Sequence, residues 1–127
     1  MPYLLAALGG ALGALARWGV AVALPRSPGG WPSATLAVNL LGCLLIGALI
    51  AVLAARRPDD ERLRTFLGAG VLGGFTTFSA FAVEVADLLR AGTPWAAAGY
   101  GAMSVVGGLL MVAAGLRIGA SAAGFRA

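Results

Sequence analysis

Apolar runs long enough to cross a lipid bilayer recur along this chain, and this feature limits its fold more than any other. Polar connectors separate four such runs, which we place at roughly residues 3–24, 33–55, 63–89 and 95–116. About 20 apolar residues in a helix cross the hydrocarbon core. Because lipid offers no partner for unpaired backbone groups, such runs cross as helices. We therefore predict an all-α membrane protein, a single domain over residues 1–127 with four transmembrane helices per subunit.

The connectors and the composition agree with this prediction. Helix breakers and charges are combined in PRSPGGWP (residues 25–32) and RRPDDER (residues 56–62). Hydrophobic residues make up 60% of the chain and charged residues 11%, whereas a water-soluble domain is about a quarter charged. Because the sequence lacks histidine and has one cysteine, Cys43, it offers neither the commonest general base nor a thiolate metal cluster. The sequence pairs no nucleophile with a base and has no phosphate-binding loop, which argues against an enzyme.

The arginines outside the apolar runs predict how the helices are oriented. An even number of crossings places both ends of the chain on the same side of the membrane. The arginines on that side are Arg56, Arg57, Arg62, Arg64, Arg117 and Arg126. The opposite side carries Arg26 and Arg90. Since cytoplasmic segments are enriched in Lys and Arg, we expect both ends in the cytoplasm.

Glycines recur at the four-residue spacing that lets helices approach closely in lipid. The pairs are Gly9 with Gly13, Gly70 with Gly74, and Gly115 with Gly119. In a chain with 20 glycines such pairs also arise by chance. We therefore expect tight helix packing overall and assign no contact to an individual pair.

The third run contains the stretch GGFTTFSAF (residues 73–81), whose glycines and threonines are poor helix formers in mid-span. We predict that they break the third helix near its middle. A break frees carbonyl and N–H groups that protein, water or an ion must satisfy. Broken helices near the midplane are a recurring device for ion sites, where freed carbonyls suit a cation and freed N–H groups an anion. The alternative is an unbroken helix whose glycines lie at a packing seam.

Polar side chains within the other runs add hydrogen-bond donors. Asn39 lies near the middle of the second run, where its amide either joins two helices or lines a polar path. Tyr100 and Ser104 lie four residues apart and so share one face of the fourth helix. Both hydroxyls can donate to a ligand, unless nearby carbonyls satisfy them.

Three phenylalanines follow one another at intervals of three residues: Phe75, Phe78 and Phe81. Such a stripe usually serves packing, but the edge of an aromatic ring is electropositive. Ring edges beside Asn, Ser and Thr donors favour a small anion without a full positive charge. Conduction also requires binding weak enough for the ion to leave. The residues alone therefore favour a small-anion pathway over a cation pathway or an enzyme.

Three stretches of the chain resemble a known family of membrane proteins. The signature blocks of the Fluc (CrcB) fluoride channels are similar to GGALGALARW (9–18), ATLAVNLLGCLLIG (34–47) and GVLGGFTTFSAF (70–81). The resemblance implies an antiparallel, dual-topology dimer with narrow fluoride pores at its interface. It also implies a structural sodium ion at the dimer centre that is not transported, and passive export of toxic fluoride across the bacterial cell membrane.

The resemblance also implies roles for individual residues, motif by motif. The main-chain carbonyls of Gly73 and Thr76 would hold the sodium ion. The fluoride pore would be lined by Asn39, Thr77, Phe78, Ser79, Phe81, Tyr100 and Ser104. Arg17 and Glu84 would lie in the vestibules that lead to the pore. The partners implied are fluoride, membrane lipid and a second copy of the chain.

The distribution of arginines departs from what an antiparallel homodimer needs, because six arginines face two across the membrane. The alternative is a heterodimer with an oppositely oriented homologue, although the complete set of pore residues favours the homodimer. Two other classes of membrane protein fit less well. A small multidrug exporter would need a carboxylate in the first run, where Arg17 is the one charged residue. A non-conducting subunit of a larger complex would not need the donors at Asn39, Phe78 and Tyr100.

Overall fold

Helices account for most of the chain in the computed structural model, which describes residues 1–124. The first two are α1 (Pro2–Ala23) and α2 (Ser33–Arg56). Three helical segments then follow one another without a gap and are together called α3: Glu61–Leu63, Arg64–Leu72 and Gly73–Phe75. The last two helices are α4 (Phe78–Arg90) and α5 (Pro94–Ala122).

Four helical crossings within residues 1–124 are long and apolar enough to span a membrane, with α3 and α4 together forming the third. This confirms the predicted all-α architecture with four long apolar helices. The last helix is longer than predicted, since α5 continues to Ala122 and does not end near residue 116. Arginine is a good helix former, so Arg117 ends the apolar run without ending the helix. Arg126, assigned above to the cytoplasmic side, lies outside the described residues.

α3 begins at a side-chain cap in the charged connector. Asp60 Oδ1 accepts a hydrogen bond of 2.9 Å from the N–H of Leu63, one of the N–H groups that a helix start leaves unpaired. Asp60 Oδ2 lies 3.5 Å from Arg57 Nη1. The N–H of Leu63, and after it the guanidinium of Arg57, hold the pKa of the Asp60 carboxyl below its ordinary value.

A π-helix occupies Arg64–Leu72, the middle of α3, and nothing in the sequence pointed to it. In this geometry an N–H group reaches back five residues, as that of Gly73 does to the carbonyl of Gly68. Such wide turns are rare and are frequently found at functional sites. Here the π-helix ends one short helical turn before the third crossing is interrupted.

α1 packs directly against α3 through glycines on both helices. A Cβ atom at Gly9 would lie 2.9 Å from the Cα of Gly70, and one at Gly74 would lie 2.9 Å from the Cα of Gly10. A Cβ atom at Gly13 would overlap the backbone of α3. Only glycine allows backbones to approach this closely, which confirms tight packing at two of the predicted glycine pairs.

α2 packs against α5 in the same way. A Cβ atom at Gly115 would lie 2.9 Å from the backbone nitrogen of Ala48, and one at Gly119 would lie 2.9 Å from its Cα. On the other side of the contact, a Cβ atom at Gly47 would overlap the backbone of α5. The third predicted glycine pair is therefore also a close helix contact.

The third crossing changes its neighbours partway through the membrane. α3 packs against α1, whereas α4 packs against α5 and α2. The small core between these last three helices buries Leu36, Leu88, Ala97 and Tyr100. The outer faces of the helices are apolar and exposed, as at Leu109 and Trp95, and such surfaces are covered by lipid or by another subunit. The candidate site is the point where the third crossing stops packing against α1 and begins to pack against α2 and α5.

Candidate ion site

The third crossing is broken at Thr76 and Thr77, which confirms the predicted break and rules out an unbroken helix. Both residues are extended, with φ −78° and ψ 159° at Thr76 and φ −149° and ψ 126° at Thr77. The glycines before them do not take part in the break, contrary to the prediction, since Gly73 has helical angles of φ −63° and ψ −38°. Gly74 instead lets α1 approach α3.

The side-chain amide of Asn39 on α2 holds the break through two hydrogen bonds. Its Oδ1 accepts from the N–H of Thr77 at 2.8 Å, and its Nδ2 donates to the Thr77 carbonyl at 2.9 Å. The first of the two roles considered for this residue, joining two helices, is therefore present in the structure. An amide nitrogen carries two N–H donors, and these bonds use one of them. One donor is left for a ligand.

The break diverts the usual hydrogen-bond partners of two carbonyls, those of Gly73 and Thr76. The N–H of Thr77, which would bond the Gly73 carbonyl in a regular helix, is taken by Asn39. The N–H of Ala80, which would bond the Thr76 carbonyl, goes to Thr77 Oγ1 at 3.2 Å.

A third carbonyl near the break, that of Gly74, accepts a hydrogen bond of 3.2 Å from Arg17 Nε. The two carbonyls predicted to hold sodium, those of Gly73 and Thr76, are thus the ones whose regular partners are bonded elsewhere. Freed backbone carbonyls at a broken membrane helix are suitable ligands for a sodium ion.

The threonine hydroxyls finish the two helix ends that meet at the break. Thr76 Oγ1 donates to the Leu72 carbonyl at 2.9 Å, at the end of α3. Thr77 Oγ1 caps the start of α4 by accepting from Ala80, and it lies 3.2 Å from Ser79 Oγ. The break therefore places the negative end of one helix dipole beside the positive end of another.

A groove of about 460 Å³ opens beside the break, between α2, the third crossing and α5. Five of the seven predicted pore residues line it: Asn39, Thr77, Phe78, Phe81 and Ser104. Gly73 and Thr76 line it as well, so the predicted sodium and fluoride residues share one surface. Ser79 and Tyr100 are not among its lining residues.

The phenylalanine stripe divides into buried and exposed rings. Phe75 is 8% exposed and packs inside the subunit, whereas Phe78 is 79% exposed. The ring centroids of Phe78 and Phe81 are 5.7 Å apart with the planes tilted by 46°. Phe81 in turn lies 5.2 Å from the ring of Tyr100. Packing explains Phe75, and it does not explain the exposed ring of Phe78.

Glu84 on α4 accepts hydrogen bonds from hydroxyls on α2 and α5 and is not among the residues that line the groove. Thr35 Oγ1 donates to Oε1 at 2.7 Å, and the Tyr100 hydroxyl donates to Oε2 at 2.6 Å. Tyr100 is fully buried, and Trp31 covers it edge-on with ring centroids 5.8 Å apart. Sequence reasoning missed Thr35, although it lies one turn before Asn39 on the same helix face.

Ser104 shares a helix face with Tyr100, but its hydroxyl has no hydrogen-bond partner among the described residues. Its Oγ is buried and is the one such side-chain oxygen or nitrogen in residues 1–124 without a hydrogen-bond partner. The alternative that nearby carbonyls satisfy both hydroxyls is therefore wrong: Tyr100 bonds a carboxylate, and Ser104 lines the groove unbonded. A buried hydroxyl without a partner is costly, so Ser104 needs a hydrogen-bond partner that residues 1–124 do not supply.

Arg17, predicted to lie in a vestibule, is half-buried with its Nε on the Gly74 carbonyl. It reaches the break from α1 and is not among the residues that line the groove. The groove thus offers hydrogen-bond donors and aromatic rings without a guanidinium in its wall.

Known proteins match this chain over most of its length. The family model described as CrcB-like protein, Camphor Resistance (CrcB), matches residues 4–116. The fluoride-specific ion channel FluC of Paracoccus denitrificans (strain Pd 1222) is 49% identical over 117 residues, which are 92% of this chain and 93% of that protein. The FluC of Chloroflexus aurantiacus (strain ATCC 29366 / DSM 635 / J-10-fl) is 46% identical over 114 residues, 89% of this chain and 90% of that protein.

Proposed function

Since the chain belongs to the CrcB-like family, we propose that it is a fluoride-selective channel that lets toxic fluoride leave the bacterial cell passively across the cell membrane. Its relatives are named as ion channels, so the chain is not an enzyme. Its four apolar crossings make it a multi-pass membrane protein. The ion, the pore and the partner subunit are the parts of the proposal that need experiment.

The observation that carries the proposal is a groove lined by Asn39, which has a spare N–H, and by Ser104, whose buried hydroxyl has no hydrogen-bond partner within residues 1–124. Both are uncharged donors, and both point to an acceptor that binds there. The exposed ring of Phe78 and its neighbour Phe81 add electropositive edges to the same wall. Together these groups suit a small anion.

Fluoride fits these donors because it is small and binds water strongly. A pore that admits it must replace the lost water with several hydrogen-bond donors at once. A lysine or arginine in the wall would hold the ion too tightly for conduction, whereas amide, hydroxyl and ring-edge contacts are individually weak. The bond between Tyr100 and Glu84 sets a further condition, because fluoride would compete with the carboxylate for that hydroxyl.

We place the remaining predicted residues around this path. Ser79 lies beside the Thr77 cap and would join the pore wall at the start of α4. Glu84 would mark the vestibule at one end of the groove, and Arg17 would serve the vestibule from the α1 side of the break.

The freed carbonyls of Gly73 and Thr76 would bind a structural sodium ion that is not transported. When bound, this ion would supply positive potential beside the groove and would fix the backbone of the break. Two carbonyls replace only part of the hydration shell of a cation, so a second subunit would have to provide the others. Asn39 has a part in this site, because it diverts the Thr77 N–H and so leaves the Gly73 carbonyl free.

A second copy in the opposite orientation would close the groove on its open side. The exposed ring of Phe78 and the apolar outer faces support such a contact, since a second subunit would cover them. A homodimer would pair two breaks and create two equivalent pores. The alternative is a heterodimer with an oppositely oriented homologue, which the uneven arginines favour.

Ion efflux from liposomes that contain this purified chain alone tests the proposal. Vesicles loaded with fluoride should release it rapidly, and matched vesicles loaded with chloride should retain their ion. Release of fluoride alone would establish a selective channel formed by one gene product. If a well-folded dimer of this chain retained fluoride, the chain would not form a fluoride channel by itself. If fluoride and chloride were released equally, the channel would not be selective.

A further inference from the structure

Gly42 on α2 lies beside the break, and the proposed function has not used it. It comes three residues after Asn39, so the two residues share a helix face. Asn39 bonds the backbone of Thr77, and Gly42 lies against the side chain of Thr76. One face of α2 therefore meets both extended residues of the break.

The methyl group of Thr76 occupies the space where a side chain at residue 42 would be. A Cβ atom at Gly42 would overlap Thr76 Cγ2, whereas it would lie at ordinary contact distances from Thr76 Cβ and Phe75 Cδ1, 3.6 and 3.8 Å. At Gly13 and Gly47, by contrast, a Cβ atom would overlap the backbone of a neighbouring helix. Gly42 therefore makes room for one side chain at the break, whereas the other two glycines let helices approach.

Contacts on both branches of the side chain hold Thr76. Its N–H and its hydroxyl both donate to the Leu72 carbonyl, at 3.0 and 2.9 Å, while its methyl group lies against Gly42. A β-branched side chain has few allowed rotamers, so a rotation that moved the methyl group away from α2 would also move the hydroxyl off the Leu72 carbonyl. A side chain at residue 42 would force either this rotation or a shift of the backbone at Thr76.

We propose that Gly42 is a positioning residue of the proposed sodium site: it leaves room for the Thr76 methyl group and so keeps the freed Thr76 carbonyl in place. A bound cation exchanges its hydration shell for such carbonyls, so a displaced carbonyl weakens binding. The inference rests on the proposed function, because it concerns the ion proposed at Gly73 and Thr76.

The thermal stability of the purified protein in detergent tests the inference without a measurement of transport. An ion that binds only the folded protein raises its unfolding temperature, so replacing N-methylglucamine by sodium at constant ionic strength gives an apparent sodium dissociation constant. Gly42→Ala should raise this constant about 10- to 100-fold, the usual cost of disturbing a residue that orients a metal ligand. Gly42→Ala/Thr76→Ser should return to the wild-type constant, because serine keeps the hydroxyl and lacks the methyl group.

Two control variants separate this role from packing. Gly42→Ala/Thr76→Val keeps the methyl group and should bind sodium as weakly as Gly42→Ala. Gly107→Ala on α5 would place a Cβ atom 3.0 Å from Leu40 Cδ2, so it crowds a side chain away from the break. It should lower stability and leave the sodium dissociation constant unchanged. If Gly42 serves packing alone, Gly42→Ala will behave like Gly107→Ala, and that result would overturn the inference.

If Gly42→Ala does not fold, Gly42→Ala/Thr76→Ser decides. A folded double variant with the wild-type sodium dissociation constant would support the inference. A double variant that fails to fold although Thr76→Ser alone folds would overturn it, because the obstacle would then not be the Thr76 methyl group. If the stability of the wild type does not respond to sodium, both the sodium site and this inference fail, whereas fluoride efflux tests the proposed channel separately.

Discussion

Asn39 and Thr77 exchange two hydrogen bonds across the break, of 2.8 and 2.9 Å, although 38 residues separate them in the chain. An extended backbone in lipid leaves polar groups that need partners, and this amide satisfies the N–H and the carbonyl of one residue at once. Asn39 is therefore a structural support of the break as well as a proposed donor to the ion.

The first prediction concerns this support. Asn39→Ala leaves two backbone groups of Thr77 unpaired, and each such loss costs about 1–3 kcal/mol. We expect a clear fall in thermal stability together with the loss of fluoride efflux. Leu41→Ala, at an exposed position of the same helix, is the control and should change neither quantity much. Wild-type stability of Asn39→Ala, measured by the temperature at which the protein aggregates in detergent, would contradict the role as a support.

The position of the break shows what the sequence could and could not predict. Weak helix propensity over residues 73–81 located it within a few residues, because propensity is a local property. The residues that carry it are the threonines and not the glycines, since Gly73 has helical angles and Gly74 packs against α1. The glycine pairs were predicted for a similar reason, as their spacing is visible without any knowledge of the partner helix.

The features that were missed depend on contacts between distant segments. The bond from Arg17 to the Gly74 carbonyl joins residues 57 apart, and that from Thr35 to Glu84 joins residues 49 apart. No local sequence pattern indicates either of these hydrogen bonds. The π-helix of α3 was missed because its sequence, RTFLGAGVL, suits an α-helix equally well. The polar residues were therefore placed on helices that meet at the groove, whereas the side chains that bond them were not predicted.

The second prediction concerns the carboxylate junction at Glu84. Tyr100→Phe removes a hydrogen bond of 2.6 Å to a carboxylate, and bonds to charged groups contribute about 1.5–3 kcal/mol. We expect a loss of stability of that order. A double-mutant cycle of Tyr100→Phe with Glu84→Gln should show a coupling of about 0.5–3 kcal/mol, because the two residues act on one another. Strictly additive effects would mean that the bond does not contribute.

The third prediction concerns the cap at the start of α3. The Asp60 carboxyl has a lowered pKa in the folded protein, so it stabilises the fold when it is ionised. This stabilisation is present above the unfolded pKa of about 3.9 and is lost as the pH falls through the lower folded value. Asp60→Ala should therefore be less stable than the wild type at neutral pH, and the difference should shrink in acid.

Asp60→Asn is the matched control for the cap, because its side-chain oxygen can still accept from the N–H of Leu63. It should retain most of the stability at neutral pH and should lack the acid dependence. A stability difference between wild type and Asp60→Ala that is constant with pH would contradict the capping role. Fluoride efflux should be unchanged in both variants, since Asp60 lies far from the break in the chain.

The fourth prediction separates the phenylalanines by role. Phe78→Ile and Phe81→Ile should slow fluoride efflux about two- to tenfold while the protein stays folded, because loss of an aromatic edge removes about 0.5–1.5 kcal/mol. Phe75→Ala should instead lower the free energy of unfolding by about 3–5 kcal/mol, the usual cost of truncating a buried phenylalanine. Unchanged efflux in both isoleucine variants would remove the ring edges from the mechanism.

The last prediction concerns sodium at the freed carbonyls of Gly73 and Thr76. Protein stripped of sodium and held in a larger cation should lose fluoride efflux, because the larger ion does not fit between carbonyls spaced for sodium. Return of sodium should restore the efflux. Thr76→Val is the control, since it removes the hydroxyl, which donates to the Leu72 carbonyl, and keeps the backbone carbonyl of residue 76. The variant should show the same sodium dependence as the wild type. Efflux that is equal in both cations would mean that the break is held by Asn39 and Arg17 without a metal ion.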